Sequence, residues 1–261
     1  MRFLSVRFFV FLVVVAGLGF AAWSLAVRLP YSPWYIARWE EVGEGLQRME
    51  FVSEDDVNVL LYAFNPEAFT FRVENSLDPE RVKAWAGKIH GEQLTINGFY
   101  FLEDNTPAGL LITDGEAIQQ QEFDFDKSGI IRLDPDFDIV DTGLETFSTR
   151  GVIEAGQSYP FLFNEGESAV KEDSGLAARR TFIGTDEAGQ VYVGVVWRDD
   201  VSLFELVTVL KEIDISWYDV MNLDGGPSTG LVVETEGFVE ALDSAAPVPN
   251  VIVIQPRSTT P

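Results

Sequence analysis

Short runs of apolar and aromatic residues follow one another along most of this chain, and residues typical of turns separate them. Their short length and their β-branched and aromatic content are typical of strands. The runs are VNVLLYAF, FTFRV, QLTINGFYF, GLLITDG, GIIRL, YPFLFN, TFIGTD, QVYVGVVW, YDVMNL, GLVVET and NVIVIQ. This spacing predicts a protein built mainly from β-sheet.

Two segments instead repeat their apolar residues at helical spacing, and they are Pro79 to Ile89 and Ser202 to Ile213. At the start of the second, Ser202 and Glu205 form the S-x-x-E pattern of a capping box, so we assign Glu205 to the helix start and not to catalysis. Together the patterns predict an α+β fold, a single domain of mixed, mostly antiparallel β-sheet with a few packed helices.

The N-terminal segment has the pattern of an export signal. Arg2 and Arg7 precede an apolar run from Phe8 to Val27, and about 20 apolar residues suffice to span a bilayer. We expect residues 1–29 to form an uncleaved signal anchor with both arginines inside the cell. Cleavage at the small-x-small site Gly19-Phe20-Ala21 is the alternative. Both interpretations place the remaining chain in the cell envelope, on the periplasmic or extracytoplasmic side, either anchored by residues 8–27 or secreted.

The domain limits follow from composition. Residues 30–50 carry aromatic side chains near the expected membrane surface and then Gly43 and Gly45, a pattern that favours a juxtamembrane linker. The folded domain is expected over residues 51–256. Residues 257–261 offer no apolar side chain that would hold them in place, so we expect a disordered tail.

Charge and composition exclude several classes of function. The 42 acidic residues outnumber the 18 basic ones and leave a formal net charge of -24, which repels a nucleic-acid backbone. The chain has no cysteine, and His90 is its one histidine, so thiol nucleophiles, thiolate metal sites and multi-histidine zinc sites are ruled out or improbable. No calcium-loop spacing is present either. We therefore expect no metal and no cofactor, and chemistry that depends on carboxylates, Arg, Lys, Tyr and amides.

The segment MNLDGGPSTGL, residues 221–231, is the strongest local signal for a site. An apolar strand runs into Asp224, and Gly225 and Gly226 then break it before the hydroxyls of Ser228 and Thr229. A carboxylate at the end of a strand, followed by glycines and hydroxyls, builds a compact polar pocket edge. The same Asp-Gly pair between apolar runs is also typical of a β-hairpin without any function, and the residues alone leave both interpretations open.

Two further positions carry polar groups into strands. Asn97 and Gly98 lie within the otherwise apolar run LTINGFYF, where a buried amide needs partners at both ends or faces a ligand. Arg179 and Arg180 enter the strand ARRTFIG, and one of the two must point inward because neighbours on a strand face opposite sides. An inward arginine suits a phosphate or carboxylate, although a plain ion pair is an equally good explanation.

Taken in order, these strings resemble the phosphodiester glycosidase family. Members of that family carry, in order, an N-G-G-F-F strand, a Pro-x-Gly-Leu-x-x-x-x-Gly segment, an Arg-Thr-x-x-Gly strand and a closing N-L-D-G-G-x-S-T turn. The corresponding strings in this chain are NGFYF, PAGLLITDG, RTFIG and NLDGGPST, and the resemblance covers most of residues 55 to 255.

The resemblance implies both an activity and a set of site residues. It implies hydrolysis of a sugar-phosphodiester bond or a related envelope glycan, with Asp224 at the anomeric carbon and Arg180 on the phosphate. The implied catalytic residues are Asp224, Arg180 and Asn97, and the implied substrate-binding residues are Gly98, Asn222, Gly225, Gly226, Ser228 and Thr229.

The sequence departs from the family pattern at three places. Phe99 replaces the second glycine of the N-G-G strand, Pro227 replaces a glycine, and Ala245-Ala246 stand where the family often has an arginine. If that arginine binds phosphate in the family, the last departure implies a different substrate here. A non-catalytic glycan-binding envelope protein, or a glycosidase acting on a phosphate-free polymer, is the alternative function.

Overall fold

The computed structural model describes residues 37–119 and 129–257. The expected signal anchor and residues 258–261 of the expected tail lie outside these ranges, so both stay predictions. Within the described ranges, no helix is long and apolar enough to cross a membrane.

The described chain folds into strands with two helices. The helices are α1 (Val82–Ala86) and α2 (Leu203–Glu212). The strands are β1 (Glu40–Gly43), β2 (Leu46–Val52), β3 (Asn58–Phe64), β4 (Phe69–Glu80), β5 (Gln93–Asn97), β6 (Leu111–Thr113), β7 (Glu116–Gln119), β8 (Gly129–Asp134), β9 (Asp138–Asp141), β10 (Glu154–Ser158), β11 (Phe161–Asn164), β12 (Glu167–Ser168), β13 (Ala178–Asp186), β14 (Val191–Val201), β15 (Trp217–Asn222), β16 (Leu231–Thr235), β17 (Phe238–Leu242) and β18 (Val248–Pro256).

The strands form three antiparallel sheets. The eight-stranded sheet has the order β1-β2-β3-β14-β13-β15-β11-β12. The β5 sheet has the order β17-β16-β5-β18-β4, with β5 at its centre, and the β10 sheet has the order β7-β6-β10-β8-β9. One core joins all three, because Tyr62 of the eight-stranded sheet, Ile96 of the β5 sheet and Ile131 of the β10 sheet belong to the same buried cluster. The predicted fold, a mostly antiparallel β protein with few helices, is confirmed.

The two helices match the sequence pattern to different degrees. Helix α2 is capped as predicted, since the Ser202 hydroxyl accepts from the Glu205 N–H at 3.1 Å and the Glu205 carboxylate accepts from the Ser202 N–H at 2.7 Å. Helix α1 is shorter than the predicted Pro79 to Ile89. Strand β4 extends through Glu80, and Gly87 ends the helix.

The chain enters the sheets before the expected start of the domain at residue 51. Residues 40–50, assigned from the sequence to the linker, form β1 and most of β2. The glycines that suggested a linker belong to a tight hairpin, in which Gly45 has a φ of 69° and Gly43 pairs with Leu46. The buried side chains of Leu46 and Met49 hold β2 against the core.

A bidentate ion pair joins the eight-stranded sheet to the β5 sheet. Arg48 of β2 donates two hydrogen bonds, both of 2.9 Å, to the carboxylate of Glu240 in β17, and the Tyr62 hydroxyl donates to the same carboxylate. Burial alone raises the pKa of Glu240, but the hydrogen bonds and charge of Arg48, together with the Tyr62 hydroxyl, outweigh it and hold this pKa below its ordinary value. The ionised carboxylate therefore stabilises the fold.

We expect Glu240→Ala to lower the free energy of unfolding by about 2 kcal/mol, because Arg48 and Tyr62 lose a charged partner. Urea denaturation at pH 7 measures this loss. The control is Glu234→Ala, an exposed position on the neighbouring strand, with a change within about 0.5 kcal/mol. Since the pKa of Glu240 is lowered in the folded state, its contribution is present above the unfolded pKa and is lost as the pH falls through the folded pKa. Equal effects of the two substitutions would contradict this role.

Candidate active site

The NLDGGPST segment lies where the chain passes from one sheet to another. Strand β15 ends at Asn222 in the eight-stranded sheet, a short 3-10 turn occupies Gly226–Ser228, and β16 begins at Leu231 in the β5 sheet. Because β15 and β16 belong to different sheets, the segment is not the turn of a β-hairpin. The alternative left open by the sequence is thereby excluded, and the segment forms an edge between two sheets.

The side chain of Asn97 joins three separate parts of the chain at this edge. Its amide nitrogen donates to the main-chain carbonyl of Asp224 at 2.7 Å. Its oxygen accepts from the Thr181 hydroxyl at 2.8 Å and from the Gly230 N–H at 3.1 Å. The residue is fully buried at the end of β5. Asn97 therefore positions Asp224, and its amide binds protein groups at both ends.

Gly98 and Gly225 allow backbone to approach closely beside the carboxylate. The Asp224 N–H lies 3.4 Å from the Gly98 carbonyl oxygen. A Cβ on Gly98 would lie 2.2 Å from the Asn250 side-chain oxygen, and a Cβ on Gly225 would lie 2.7 Å from the Arg179 carbonyl oxygen. A larger residue at either position would therefore force Asn250 or the main chain of Arg179 to move.

Asp224 presents a half-buried carboxylate held by its own turn. One oxygen accepts from the Gly225 N–H at 2.9 Å, and the Ser228 hydroxyl donates to the same side chain. Burial raises the pKa of Asp224, and the hydrogen bonds from Ser228 and Gly225 offset only part of that shift. A carboxyl group with a raised pKa at the edge of a site is suited to proton transfer or nucleophilic attack.

Arg180 lies across from Asp224 on the neighbouring strand. Phe182 pairs with Asn222, and the Leu223 N–H donates to the Thr181 carbonyl at 2.8 Å. A Cβ on Gly225 would lie 3.9 Å from the Arg180 Cα, so the main chains on either side of Asp224 run beside Arg180. Its guanidinium donates to the main-chain carbonyls of Val201 and Leu176. Within the described ranges no carboxylate forms an ion pair with it. Burial lowers the pKa of Arg180, and an arginine remains charged at neutral pH.

Two tyrosines complete the site, and the sequence reasoning did not select either. The Tyr100 ring packs against Tyr159 in a tilted arrangement, with centroids 4.8 Å apart. The Tyr100 hydroxyl accepts from the Asn222 amide at 2.6 Å and donates to the Tyr159 carbonyl at 3.1 Å. Burial raises the pKa of Tyr100, and the charge of Asp224 raises it further. Tyr100 follows Phe99 in the NGFYF string, and its phenol hydroxyl among apolar residues is the sequence feature that could have identified it.

Polar atoms of two predicted site residues are buried here without a hydrogen-bond partner in the described part of the chain. They are the side-chain oxygen of Asn222 and the hydroxyl of Thr229. Buried polar atoms are nearly always paired in proteins. One of these residues precedes Asp224 and the other follows it, as expected if both atoms contact a ligand.

The predicted site residues thus converge on one region. Asn97, Gly98, Arg180 and the 222–229 segment meet at the crossover between the sheets. The Ala245-Ala246 pair also lies against this turn, since both N–H groups donate to the Pro227 carbonyl at 2.8 and 2.9 Å. Across residues 37–119 and 129–257, no group of three or more acidic or histidine side chains is arranged to hold a metal ion.

The fold resembles two solved structures. A crystal structure of a hypothetical protein from Synechocystis has a TM-score of 0.60 and 13% identity over 87% of this chain; the chain spans 64% of that protein. The zebrafish N-acetylglucosamine-1-phosphodiester alpha-N-acetylglucosaminidase catalytic domain, auto-inhibited by its pro-peptide, has a TM-score of 0.61 and 15% identity over 87% of this chain and 86% of that one. A search of curated proteins finds no match.

The family comparison covers the site itself. The model of the phosphodiester glycosidase family matches residues 90–255. This range begins before Asn97 and ends after Asn250, so it contains both halves of the crossover, Arg180 and the two tyrosines. The resemblance seen in the sequence is confirmed, and the chain belongs to the phosphodiester glycosidase family.

Proposed function

We propose that this protein is an exported glycosidase that hydrolyses a glycosyl phosphodiester bond. The observation that carries the proposal is the half-buried carboxylate of Asp224, whose pKa is raised by burial and whose main chain is bound by Asn97. Arg180 lies on the adjacent strand and supplies a positive charge in a protein of net charge -24. Family membership and the name of the zebrafish enzyme support this bond type.

In the proposed reaction, the bond between the anomeric carbon and the phosphate oxygen breaks. The oxygen leaves with the bonding electrons as a phosphate monoester, and water supplies the hydroxyl of the released sugar and the proton. Asp224 acts at the anomeric carbon, either as the nucleophile or as the base that activates water. Arg180 neutralises the charge on the phosphate. Because a phosphate monoester is a good leaving group, one carboxylate suffices for this chemistry.

Ser228 and Thr229 complete the proposed site. The Ser228 hydroxyl keeps one Asp224 oxygen in place, and the buried Thr229 hydroxyl is available to a sugar hydroxyl or a phosphate oxygen. Asn97 acts indirectly, by fixing the main chain of Asp224. An envelope glycan without phosphate is the alternative substrate, and glycan binding without turnover is the alternative function.

The expected location follows from the N-terminal pattern alone. Arg2, Arg7 and the apolar run from Phe8 to Val27 favour export, with the domain held at the outer face of the membrane or released from it. A sugar-phosphate or glycan of the cell envelope is the substrate that this location supplies.

Asp224→Asn tests the proposed catalytic role. We expect turnover of an α-linked N-acetylglucosamine 1-phosphodiester to fall by at least about 100-fold, because the amide keeps the acceptor for Gly225 but cannot attack carbon or take a proton. Release of the phosphate monoester is the measurement. Asp214→Asn, at an exposed position after α2, is the matched control and should behave as wild type. An Asp224→Asn protein with more than a tenth of wild-type activity would exclude Asp224 from catalysis.

The pH dependence provides a second test of Asp224. Activity requires the ionised carboxylate, so kcat/KM should fall on the acid side with a midpoint above the ordinary value of 3.8, since burial raises this pKa. A raised pKa also means that the protonated form stabilises the fold, and this stabilisation is lost as the pH rises through the folded pKa. Asp224→Asn should therefore raise the melting temperature more at pH 8 than at pH 4. The same difference at both pH values would contradict the raised pKa.

Arg180→Gln separates the two candidate classes of substrate. The loss of one charged hydrogen-bonding partner should lower kcat/KM on the phosphodiester by about 10- to 100-fold. Turnover of an aryl glycoside of the same sugar, which has no phosphate, should change little. Arg179→Gln is the matched control. Equal losses on both substrates would assign Arg180 a structural role, through its bonds to Val201 and Leu176.

A further inference from the structure

The side chain of Asn222 is held at one end and unpaired at the other. Its amide nitrogen donates to the Tyr100 hydroxyl at 2.6 Å and to the Tyr159 carbonyl at 3.1 Å. A main-chain carbonyl accepts hydrogen bonds and cannot donate them, so the end of the amide that faces Tyr159 must be the nitrogen. This contact identifies the nitrogen, so the other end of the amide is the oxygen.

The Tyr100 hydroxyl completes a closed set of bonds around that nitrogen. It accepts from Asn222 and donates to the Tyr159 carbonyl, and burial raises the pKa of Tyr100, so the phenol keeps its proton. The main chain of Asn222 is also anchored, because the Ser158 hydroxyl donates to its carbonyl at 2.6 Å. The hydroxyl of Tyr100 thus has its one proton committed, and it holds the Asn222 amide in a single orientation.

The side-chain oxygen of Asn222 is the group that this orientation leaves without a partner. It is buried and has no hydrogen-bond partner within residues 37–119 and 129–257. The Tyr100 hydroxyl accepts from the Asn222 amide at 2.6 Å, and the charge of Asp224 acts on the same tyrosine and raises its pKa. Asn222 and Asp224 therefore face the same region.

We propose that the Asn222 side-chain oxygen accepts a hydrogen bond from a hydroxyl or amide N–H of the sugar, and that Tyr100 is the positioning residue that aims it. An amide oxygen can only accept, and an ionised phosphodiester has no hydrogen to donate. Asn222 therefore binds the sugar, while Arg180 binds the phosphate. This inference rests on the proposed function, and it adds which residues of the site select the sugar.

The test uses Tyr100→Phe in the full chain, with binding measured by calorimetry. The probes are the 1-phosphates of N-acetylglucosamine, glucose, galactose and mannose, the methyl α-glycoside of the sugar that binds best, and inorganic phosphate. Removal of the hydroxyl takes away one of the two acceptors that hold the Asn222 nitrogen, so the amide oxygen is aimed less firmly. Affinity for the sugar 1-phosphate and for the methyl glycoside should each fall about 5-fold, the size expected for one hydrogen bond. Affinity for inorganic phosphate should stay the same.

Deoxygenated sugars give a readout that a purely structural role would not change. In the wild type, removal of one particular hydrogen-bond donor from the sugar should weaken binding about 10-fold. In Tyr100→Phe the same removal should weaken binding much less. Asn222→Ala, once shown to fold by circular dichroism, should abolish this loss of affinity on deoxygenation. Tyr218→Phe changes an exposed tyrosine on the same strand as Asn222; it is the matched control and should show the wild-type loss.

Three results would overturn the inference: a wild type that binds none of the sugar probes, a Tyr100→Phe protein with unchanged sugar affinity, or an equal loss for inorganic phosphate. Failure of the proposed hydrolysis has a different signature. If the protein shows no turnover but its deoxy-sugar penalty still depends on Asn222, the contact stands and the protein is a glycan-binding module.

Discussion

The Asn97 amide is the interaction on which the site depends. It is the point where β5, Thr181 of β13 and the segment after β15 are bonded to one side chain. Each of the three partners is a buried or half-buried polar group, and an unpaired one would cost about 1–3 kcal/mol. The geometry of Asp224 is thus fixed by the same bonds that dock the β5 sheet onto the eight-stranded sheet, and stability and function share one residue.

This arrangement explains why the site contains little charge in a highly acidic protein. Most carboxylates lie on the surface, whereas Asp224 is placed in a partly buried region with a single nearby arginine on the adjacent strand. The charges of Asp224 and Arg180 both act on Tyr100, and their effects are larger there than at an exposed position, because water screens them less.

The sequence predicted those parts that local patterns determine. Alternating apolar runs located most of the strands, the capping box located α2, and the polar residues within strands selected Asn97 and Asp224. The β1–β2 hairpin was missed because its glycines also suit a linker. Tyr100, Tyr159 and Asn250 were missed because their roles come from partners far along the chain, such as Asn222 and the main chain of Phe99. Local residue patterns carry no information about such pairs.

The position of β5 between β16 and β18 determines when the site can assemble in a newly made molecule. Asn97 binds the Gly230 N–H, 133 residues away, and Phe99 binds the Asn250 side chain, 151 residues away. A ribosome delivers these partners last, and contacts of such long range form slowly. A growing chain therefore cannot form these hydrogen bonds while Asn250 is still inside the ribosome, and a fragment that ends before this residue lacks the side chain that binds the Phe99 N–H.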